Sequence, residues 1–397
     1  MTEQEIKSLL EKTLGKDSEI VSPLLGGMMN ISYIVKDKEG KKYVLYIPTE
    51  QANEMVNRSI EKENQRLVNA LGLTYKNVYF NVDTGVKINE YIEGESLDKI
   101  TTFDYKKIAQ VFKKLHGSVM LAREDYDPFN RFVNIYEKEA LSFLDSVDPL
   151  YNQLRSFLFS NQYYLESQMK TLCHNDSQRS NIIKTPEDEY YLIDFEFMGN
   201  NDPIYDIAAF GNGVVTEGRK LLEEYCDGNP SDDKIKRYYL WRIYISLQWY
   251  VVAIVKHFRG EGEKHGFNFM DVANHFLNNA KDAYDGYHLE IKEKAFDDDT
   301  VKLIIATLDK VRHFLQRDGG DCEYVSFEDG IVFVRMHGAC QGCAYADSDI
   351  KDLVEVILQE EVPGVLGSPG ISNLTISVIC RISLHTAHKK DPSRLPC

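Results

Sequence analysis

The chain has no excess of positive charge. Of its 397 residues, 46 are Lys or Arg and 62 are Asp or Glu, which gives a formal net charge of −16. Proteins that bind nucleic acids generally need a surface rich in Lys and Arg, because much of their affinity is electrostatic attraction to phosphates. The composition therefore argues against a general nucleic-acid-binding protein, and no nucleic-acid partner is expected.

Long apolar runs and a regular cysteine pattern are also missing. The longest apolar stretches, such as residues 249–255, fall far short of the roughly 20 residues that cross a bilayer. Residues 1–5 contain no basic segment followed by an apolar run, so no signal peptide is expected. The seven cysteines are scattered and odd in number, which does not fit a secreted disulfide framework. The sequence therefore predicts a cytoplasmic protein without a membrane partner.

The hydrophobic pattern predicts an α+β protein whose first part has two lobes. Apolar residues recur at helical spacing over residues 2–15 and 53–71, and β-branched and aromatic runs predict strands over 31–35, 42–47, 78–80 and 86–92. Beyond about residue 95 the pattern becomes mostly helical, including a long helix over 234–258. A small β-lobe followed by a larger helical lobe is the layout of the protein-kinase fold. We assign residues 1–93 to a nucleotide-binding lobe and 94–292 to a catalytic and substrate lobe.

The helical lobe contains a motif typical of phosphoryl transfer. His174, Asp176 and Asn181 have the His-x-Asp-x-x-x-x-Asn spacing of a kinase catalytic loop, and Asp194 follows a short apolar strand. In such a site a carboxylate orients or deprotonates the acceptor hydroxyl, and Mg²⁺ neutralises the phosphates of ATP. The motif predicts Asp176 as the catalytic base and Asn181 and Asp194 as Mg²⁺ ligands.

These residues lie in a longer pattern that resembles the choline/ethanolamine kinase branch of the aminoglycoside-phosphotransferase-like superfamily. The pattern is His-Asn-Asp at 174–176, Asn-Ile-Ile at 181–183, Leu-Ile-Asp-Phe-Glu-Phe at 192–197 and Tyr-Asp-Ile-Ala at 205–208. The resemblance covers roughly residues 20–290 and is strongest to LicA-type bacterial choline kinases. It implies ATP-dependent phosphorylation of choline or a related amino alcohol. It also implies nucleotide-binding roles for a glycine loop, a helix glutamate and the hinge between the lobes, with these residues: Gly26, Gly27, Asn30, Glu61, Glu90 and Ile92.

One position departs from this family. The strand after the glycine loop usually carries Arg or Lys for the α- and β-phosphates, but here it carries Tyr46. The helix glutamate that would pair with this base is Glu61 or, as an alternative, Glu63. The substitution predicts weaker phosphate binding unless a neighbouring base such as Arg58 compensates.

Aromatic residues in the long helix suggest a site for a quaternary ammonium group, which binds over aromatic faces beside a carboxylate. Trp241 and Tyr244 are three residues apart on one helical face, and Trp249 follows. We predict these three residues and Glu196 as substrate contacts. The alternative is that the aromatic residues belong to the core, as aromatic stripes on helices usually do, and Gln248 interrupts the stripe.

The pattern restarts near residue 298. A helix over 300–316, strands over 322–327 and 331–336 and a helix over 347–360 predict a small αββα domain that contains Cys340-x-x-Cys343. Taken alone, two cysteines at this spacing fit a redox dithiol, half of a zinc site or two ligands of an iron–sulfur cluster.

The residues around the cysteine pair resemble the NifU C-terminal domain over about 298–367. The resemblance rests on Asp-Gly-Gly-Asp at 318–321, His-Gly-Ala-Cys-Gln-Gly-Cys at 337–343 and Glu-Glu-Val-Pro at 360–363. It implies that Cys340 and Cys343 hold a [4Fe–4S] cluster together with the same pair of a second chain, and hence a homodimer. Residues 368–397 form an irregular tail.

Three hypotheses account for both parts. The first is a choline kinase-like phosphotransferase that carries a NifU-like module. The second is an iron–sulfur scaffold or carrier whose kinase lobe is degenerate, which the tyrosine at position 46 would favour. The third is an artefactual fusion of two unrelated proteins.

Overall fold

The structure is a computed structural model that describes residues 1–24, 30–262, 266, 268–291, 298–317, 320–328, 331–338, 357–358 and 361–362. The chain divides into two compact units, Met1–Ile291 and Lys292–Cys397. Helices and strands occur in both units, so the fold class is α+β, as predicted.

The first unit begins with a helix and a five-stranded sheet in the order β1-β2-β3-β5-β4, with every neighbouring pair antiparallel. The first helix, α1 (Glu3–Leu14), buries Ile6 and Leu10 against sheet residues such as Leu45. The strands of this sheet are β1 (Glu19–Leu24), β2 (Asn30–Lys36), β3 (Lys42–Pro48), β4 (Asn77–Phe80) and β5 (Lys87–Glu90).

The predicted single helix over 53–71 is wrong, because two helices occupy the region. The helices are α2 (Glu50–Met55) and α3 (Arg58–Ala70). Between them Asn57 has an extended backbone, and its side chain accepts hydrogen bonds from the backbone N–H groups of Ser59 and Ile60. This N-cap begins a new helix with its own direction.

Helices dominate the rest of the first unit. These are α4 (Tyr105–His116), α5 (Pro128–Arg131), a π-helix (Phe132–Glu137), α6 (Lys138–Ser142), α7 (Pro149–Ser160), α8 (Gln162–Glu166), α9 (Pro203–Phe210), α10 (Val215–Tyr225), α11 (Asp232–Phe258) and α12 (Phe269–Glu290). A 3₁₀ turn (Arg179–Asn181) and five short strands lie among them: β6 (Glu95–Ser96), β7 (Thr171–Cys173), β8 (Ile182–Lys184), β9 (Tyr190–Leu192) and β10 (Gly199–Asn201). The short strands form two small sheets, β6-β8-β9 and β10-β7. The catalytic motif follows β7 directly.

The described part of the second unit is a helix and a hairpin with their own core. The helix is α13 (Asp298–Arg317), and the antiparallel strands are β11 (Gly320–Glu328) and β12 (Ile331–Gly338). The buried core includes Ile304, Cys322 and Val334, so Cys322 has the buried packing role expected of a cysteine in an apolar strand. The pair Cys340 and Cys343, most of the helix predicted over 347–360 and the tail over 368–397 lie outside the described residues. Among the helices that the structure describes, none has the length and apolarity to cross a membrane.

Candidate active site

A cavity of about 1040 Å³ lies between the sheet and the helical lobe of the first unit. The sheet lobe and the hinge contribute Asn30, Tyr46 and Ile92 to its wall. The helical lobe contributes Asp176, Asn181, Asp194 and Glu196. The cavity therefore brings together residues that the sequence predicts for nucleotide, metal and catalysis.

The catalytic loop is held by Asp206, which is fully buried at the start of α9. Its carboxylate accepts hydrogen bonds from the backbone N–H of His174 over 2.7 Å and of Asn175 over 2.8 Å. A third contact, 3.0 Å long, joins the carboxylate to Nε2 of His116, and Ser177 Oγ donates to the Asp206 carbonyl. Burial raises the pKa of Asp206, but the His116 hydrogen bond and these other contacts outweigh it, so the pKa lies below its usual range. Asp206 is therefore an ionised acceptor that fixes the loop backbone.

His174 supports the loop and does not face the chemistry. Its Nε2 lies 2.8 Å from the carbonyl oxygen of Ile193, and the backbone N–H of Asp176 donates to its Nδ1. These contacts define a neutral ring that is protonated at Nε2. Burial holds the pKa of His174 below its usual value, which agrees with the neutral form.

Two residues of the site have a left-handed backbone although neither is glycine. Asn175 has φ 62° and Asp194 has φ 67°. Asn and Asp tolerate this region better than other side chains do. At Asn175 the conformation is secured by hydrogen bonds from Asn175 Nδ2 to the Phe197 carbonyl and from Asn201 Nδ2 to Asn175 Oδ1.

The carboxylate that the sequence predicts as the catalytic base is that of Asp176. Asn181 Nδ2 donates to Asp176 Oδ2 over 2.8 Å, and Gln178 Nε2 donates to the same oxygen over 3.3 Å. Burial, followed by the charge of Asp194, raises the pKa of Asp176 well above its usual range despite these hydrogen bonds. Burial and the charge of Glu196 likewise raise the pKa of Asp194. Two carboxyl groups thus face one cavity, where burial and neighbouring negative charge disfavour their ionised forms.

Mg²⁺ fits this donor set. Among the described residues no hydrogen-bond donor contacts the Asp194 carboxylate, and Asn181 uses its Nδ2 on Asp176, which leaves its Oδ1 for another partner. Carboxylate and amide oxygens are the hard donors that Mg²⁺ takes in proteins, and a divalent cation would relieve the repulsion.

A buried network of charges lies beside these carboxylates. Asn30 Nδ2 donates to Glu196 Oε1 over 2.7 Å, and Arg58 Nη1 lies 3.3 Å from the same oxygen. Arg58 Nη1 also donates to Glu61 Oε2 over 2.7 Å. The helix glutamate of the network is therefore Glu61, whereas Glu63 lies at the surface, 3.8 Å from Arg123. Glu196, which the sequence predicts at the substrate, lines the cavity and bonds to Asn30 and Arg58.

Sequence reasoning missed Lys87 as a member of this network. Its Nζ donates to Glu61 Oε1 and lies 3.9 Å from Glu196 Oε1 and 5.1 Å from the centre of the Tyr46 ring. The only signal in the sequence is a lysine in an otherwise apolar strand. Its place opposite Tyr46 depends on the register of β3 and β5.

The hinge between the lobes lines the cavity with Glu90, Tyr91 and Ile92. The next turn contains Gly94, with φ 153°, where an added Cβ would lie 2.3 Å from the carbonyl oxygen of Lys184. This close approach admits only glycine, and it joins the hinge to β8 of the helical lobe.

The structure places only one of the three predicted aromatic residues at the cavity wall. Trp249 lines the cavity and stacks on Phe276 with ring centres 5.7 Å apart. Trp241 and Tyr244 are not among the lining residues and lie in the core: Trp241 is 1% exposed and donates from Nε1 to Asp202, and Tyr244 donates to the Pro128 carbonyl. The prediction of substrate contact is wrong for these two because their polar groups are satisfied inside the helical lobe, as the alternative core interpretation expected.

Other cavity residues near α11 were not predicted. Gln248, which interrupts the aromatic stripe, lines the cavity with a buried Oε1 that has no hydrogen-bond partner in the described part of the chain. Tyr126 and Phe197 also line it, but the guanidinium of Arg131 lies against both rings, at 5.3 and 5.0 Å from their centres. Among the described lining residues ten are Asp or Glu and three are Lys or Arg, so the cavity suits a positively charged ligand.

Four residues of the predicted sites lie outside the described residues. They are Gly26 and Gly27 of the glycine loop and the cysteine pair Cys340 and Cys343. The described residue next to the glycine loop is Asn30, which opens β2.

Comparisons with known proteins divide the chain in the same order. The choline/ethanolamine kinase family matches residues 21–218, and the NifU-like domain family matches residues 304–367. Protein LicA of Haemophilus influenzae is 26% identical over 269 residues, which cover 63% of this chain and 75% of LicA. The crystal structure of choline kinase LicA from Streptococcus pneumoniae is 27% identical, with a TM-score of 0.54 and coverage of 72% of this chain and 99% of that one.

The second match is shorter. The mitochondrial NFU1 iron–sulfur cluster scaffold homolog of Homo sapiens is 39% identical over 72 residues, which cover 18% of this chain and 28% of that protein. The chain thus spans about a quarter of that relative. Taken together, the matches establish a choline kinase-like domain followed by a NifU-like domain. The kinase-like relatives indicate a phosphotransferase that acts on an alcohol group.

Proposed function

We propose that the first unit transfers the γ-phosphoryl group of ATP to the hydroxyl of choline or a related amino alcohol, with Mg²⁺ bound. The observation that carries the proposal is the Asp176–Asn181 hydrogen bond beside Asp194 in one acidic cavity. The relatives support it, since a crystal structure of LicA contains AMP and is 27% identical to this chain with a TM-score of 0.54. The proposal assigns the nucleotide to the sheet lobe over 1–93 and the acceptor to the lobe over 94–292.

Each site residue has a proposed task. Asp176 orients the acceptor hydroxyl and takes its proton while the oxygen bonds to the γ-phosphorus. The bond from that phosphorus to the bridging oxygen of ADP breaks, and ADP leaves with the electron pair. Asn181 and Asp194 would hold Mg²⁺, which supplies charge neutralisation of the phosphates when bound. Gly26, Gly27 and Asn30 cover the phosphates, Glu90 and Ile92 offer hinge backbone to adenine, and Glu61 positions a phosphate-binding cation.

The acidic wall and Trp249 support a cationic acceptor. A positively charged ammonium group is attracted by a wall of carboxylates and by an aromatic ring, whereas an anionic acceptor would be repelled. Gln248 offers an unpartnered oxygen on the same wall. Choline and ethanolamine both carry a positively charged ammonium group and a hydroxyl, so these two acceptors should be compared first.

The test is release of ADP from Mg-ATP by the purified full chain with choline, ethanolamine or an aminoglycoside as acceptor. We expect turnover with an amino alcohol and a loss of roughly 10²- to 10⁴-fold in Asp176→Asn, the range of general-base catalysis. The matched control is Asp145→Asn, which changes an exposed aspartate. Full activity in Asp176→Asn, or no turnover with any amino alcohol in a protein that binds ATP, would contradict the proposal.

For the second unit we propose that Cys340 and Cys343 bind a [4Fe–4S] cluster together with the same pair of a second chain. The 39% identity to a cluster scaffold homolog and the Cys-x-x-Cys spacing support this. The cluster would be cargo, the assembly a homodimer and the compartment the cytoplasm, where thiols stay reduced.

Anaerobic reconstitution with iron and sulfide tests the cluster. We expect visible absorption and a doubled mass in light scattering, both lost in Cys340→Ser and retained in Cys226→Ser. A reconstituted chain that stays colourless, or that keeps its colour in Cys340→Ser, would argue against these ligands.

A further inference from the structure

The phosphate-binding side of the cavity lacks a base at the position where the family carries one. Tyr46, on β3, lines the cavity with a neutral phenol, because burial raises its pKa to about 12. ATP brings several negative charges to this wall, next to Asp194 and Glu196. A cation from another position is needed to make phosphate binding favourable.

Lys87 is not itself among the lining residues of the cavity, but it lies next to Tyr46, which is. It is paired with Tyr46 across the antiparallel strands β3 and β5. Directly paired residues project their side chains on the same face of a sheet, so Lys87 emerges beside the missing base. Its ammonium lies against the Tyr46 ring, 5.1 Å from the ring centre.

The ammonium of Lys87 also forms the ion pair with a helix glutamate that is expected of a phosphate-binding lysine. Lys87 Nζ donates to Oε1 of Glu61, the helix glutamate, while Arg58 holds the other oxygen, Oε2, over 2.7 Å. Glu61, on α3, therefore holds the Lys87 ammonium in place through this ion pair. Glu196 Oε1, 3.9 Å from Nζ, lies two residues after Asp194 in the chain.

The charge of Lys87 is secure despite its burial. The residue is 3% exposed, and burial alone would lower its pKa, but the charges of Glu61, Asp194 and Glu196 outweigh this and raise the pKa above its usual value. The positive charges of Lys87 and Arg58 both act to lower the pKa of Asp194.

We propose that Lys87 supplies, from β5, the cation for the nucleotide phosphates that the family takes from position 46 on β3. This rests on the proposed kinase function of the same cavity. The ring of Tyr46 stacks on the relocated ammonium and fills the space that a base on β3 would occupy. The tyrosine at position 46 then does not mark the kinase lobe as degenerate.

Nucleotide binding to the full chain tests the assignment without any acceptor. Isothermal titration with Mg-ADP and with adenosine, which has no phosphate, separates a phosphate contact from loss of the whole site. In Lys87→Met we expect ADP affinity to fall by roughly 10- to 100-fold, the value of a hydrogen bond to a charged group, with adenosine affinity unchanged. In the double variant Tyr46→Lys with Lys87→Met, which returns the base to β3, we expect most of the ADP affinity to recover.

Two further variants keep the test decisive. Lys87→Arg retains the charge and should bind ADP within a few-fold of wild type even if Lys87→Met folds poorly. Arg58→Met removes the other cation of this network and should lower the ratio of ADP to adenosine affinity less than Lys87→Met does, because Arg58 bonds to Glu61 and not to Lys87. A normal ADP affinity in Lys87→Met, an equal loss for ADP and adenosine in a folded variant, or a phosphate-selective loss in Arg58→Met alone would each overturn the assignment.

Failure of the acceptor chemistry gives a different result. If the wild-type chain binds ADP with the expected dependence on Lys87 but phosphorylates no amino alcohol, the acceptor assignment fails and the role of Lys87 stands. A wild-type chain that binds no adenine nucleotide would overturn both.

Discussion

Asn181 donates two hydrogen bonds to Asp176, one to the carboxylate oxygen Oδ2 and one to the backbone carbonyl oxygen, each 2.8 Å long. One side chain thereby fixes both the position of the proposed base and the backbone that carries it. Because both bonds come from Nδ2, the amide oxygen of Asn181 remains for a metal ion. This geometry links the proposed proton transfer to the proposed Mg²⁺ site.

The first prediction concerns this link. Asn181→Leu should lower kcat by roughly 10²-fold or more, since the base loses its orienting hydrogen bond. It should also raise the Mg²⁺ concentration for half-maximal rate, because a metal ligand is lost. The measurement is the rate of ADP release against Mg²⁺ at fixed ATP. The control is Asn229→Leu at an exposed position, and an unchanged Mg²⁺ dependence in Asn181→Leu would count against it as a ligand.

The second prediction concerns Asp206. Asp206→Ala removes the acceptor of two backbone N–H groups and of His116, and we expect a loss of about 3–5 kcal/mol in the free energy of unfolding, as for other broken buried charge networks. Both tryptophans, Trp241 and Trp249, lie in α11, so tryptophan fluorescence during urea unfolding reports on the first unit. Asp145→Ala is the control, and a loss below about 1 kcal/mol would contradict the role of Asp206.

The third prediction is the pH dependence of that loss. The pKa of Asp206 is lower in the folded chain than in the unfolded chain, so its contribution is complete above the unfolded value of about 4 and is lost as the pH falls through the folded value. The difference in unfolding free energy between wild type and Asp206→Ala should be constant from pH 7 to about pH 5 and should shrink below about pH 4. A difference that grows as the pH falls would show that the carboxylate is not stabilised as an anion.

The fourth prediction separates the two tryptophans. Trp249→Leu should raise the KM for the amino alcohol several-fold with a small effect on stability, because this ring lines the cavity. Trp241→Leu should mainly lower the free energy of unfolding, by about 2–4 kcal/mol, because its ring is buried and its Nε1 donates to Asp202. Kinetics and urea unfolding of both variants make the comparison. The reverse pattern would indicate that Trp241, and not Trp249, contacts the substrate.

The fifth prediction concerns the hinge glycine. Gly94→Ala should cost about 1–3 kcal/mol of unfolding free energy, since the new methyl group would meet the Lys184 carbonyl oxygen at 2.3 Å. Gly213→Ala is the matched control because an added Cβ there meets none of the described residues within 4 Å and the backbone is not left-handed. Equal stability of the two variants would show that the hinge can shift to accept a side chain.

Much of the secondary structure followed from local pattern. The hairpin of β2 and β3, the long helix α11 and the helix and hairpin of the second unit were predicted, since alternation and helical spacing are local properties. The strand β1 was missed because it is an edge strand with largely exposed residues and Pro23. The break between α2 and α3 was missed because a single cap at Asn57 decides it.

The predictions for the site also separate local relationships, which the sequence reveals, from contacts between distant segments, which it does not. The spacing of His174, Asp176 and Asn181 predicted that these residues lie together, and they do, because short stretches of chain join them. The class of fold, the phosphotransferase class and a second, NifU-like domain were predicted from sequence patterns and resemblance, and the comparisons support them. Tertiary structure alone decided that Lys87 lies opposite Tyr46 and that Trp249, not Trp241, reaches the cavity. Strand register and helix rotation decide such contacts, and both depend on packing between segments that are far apart in the chain.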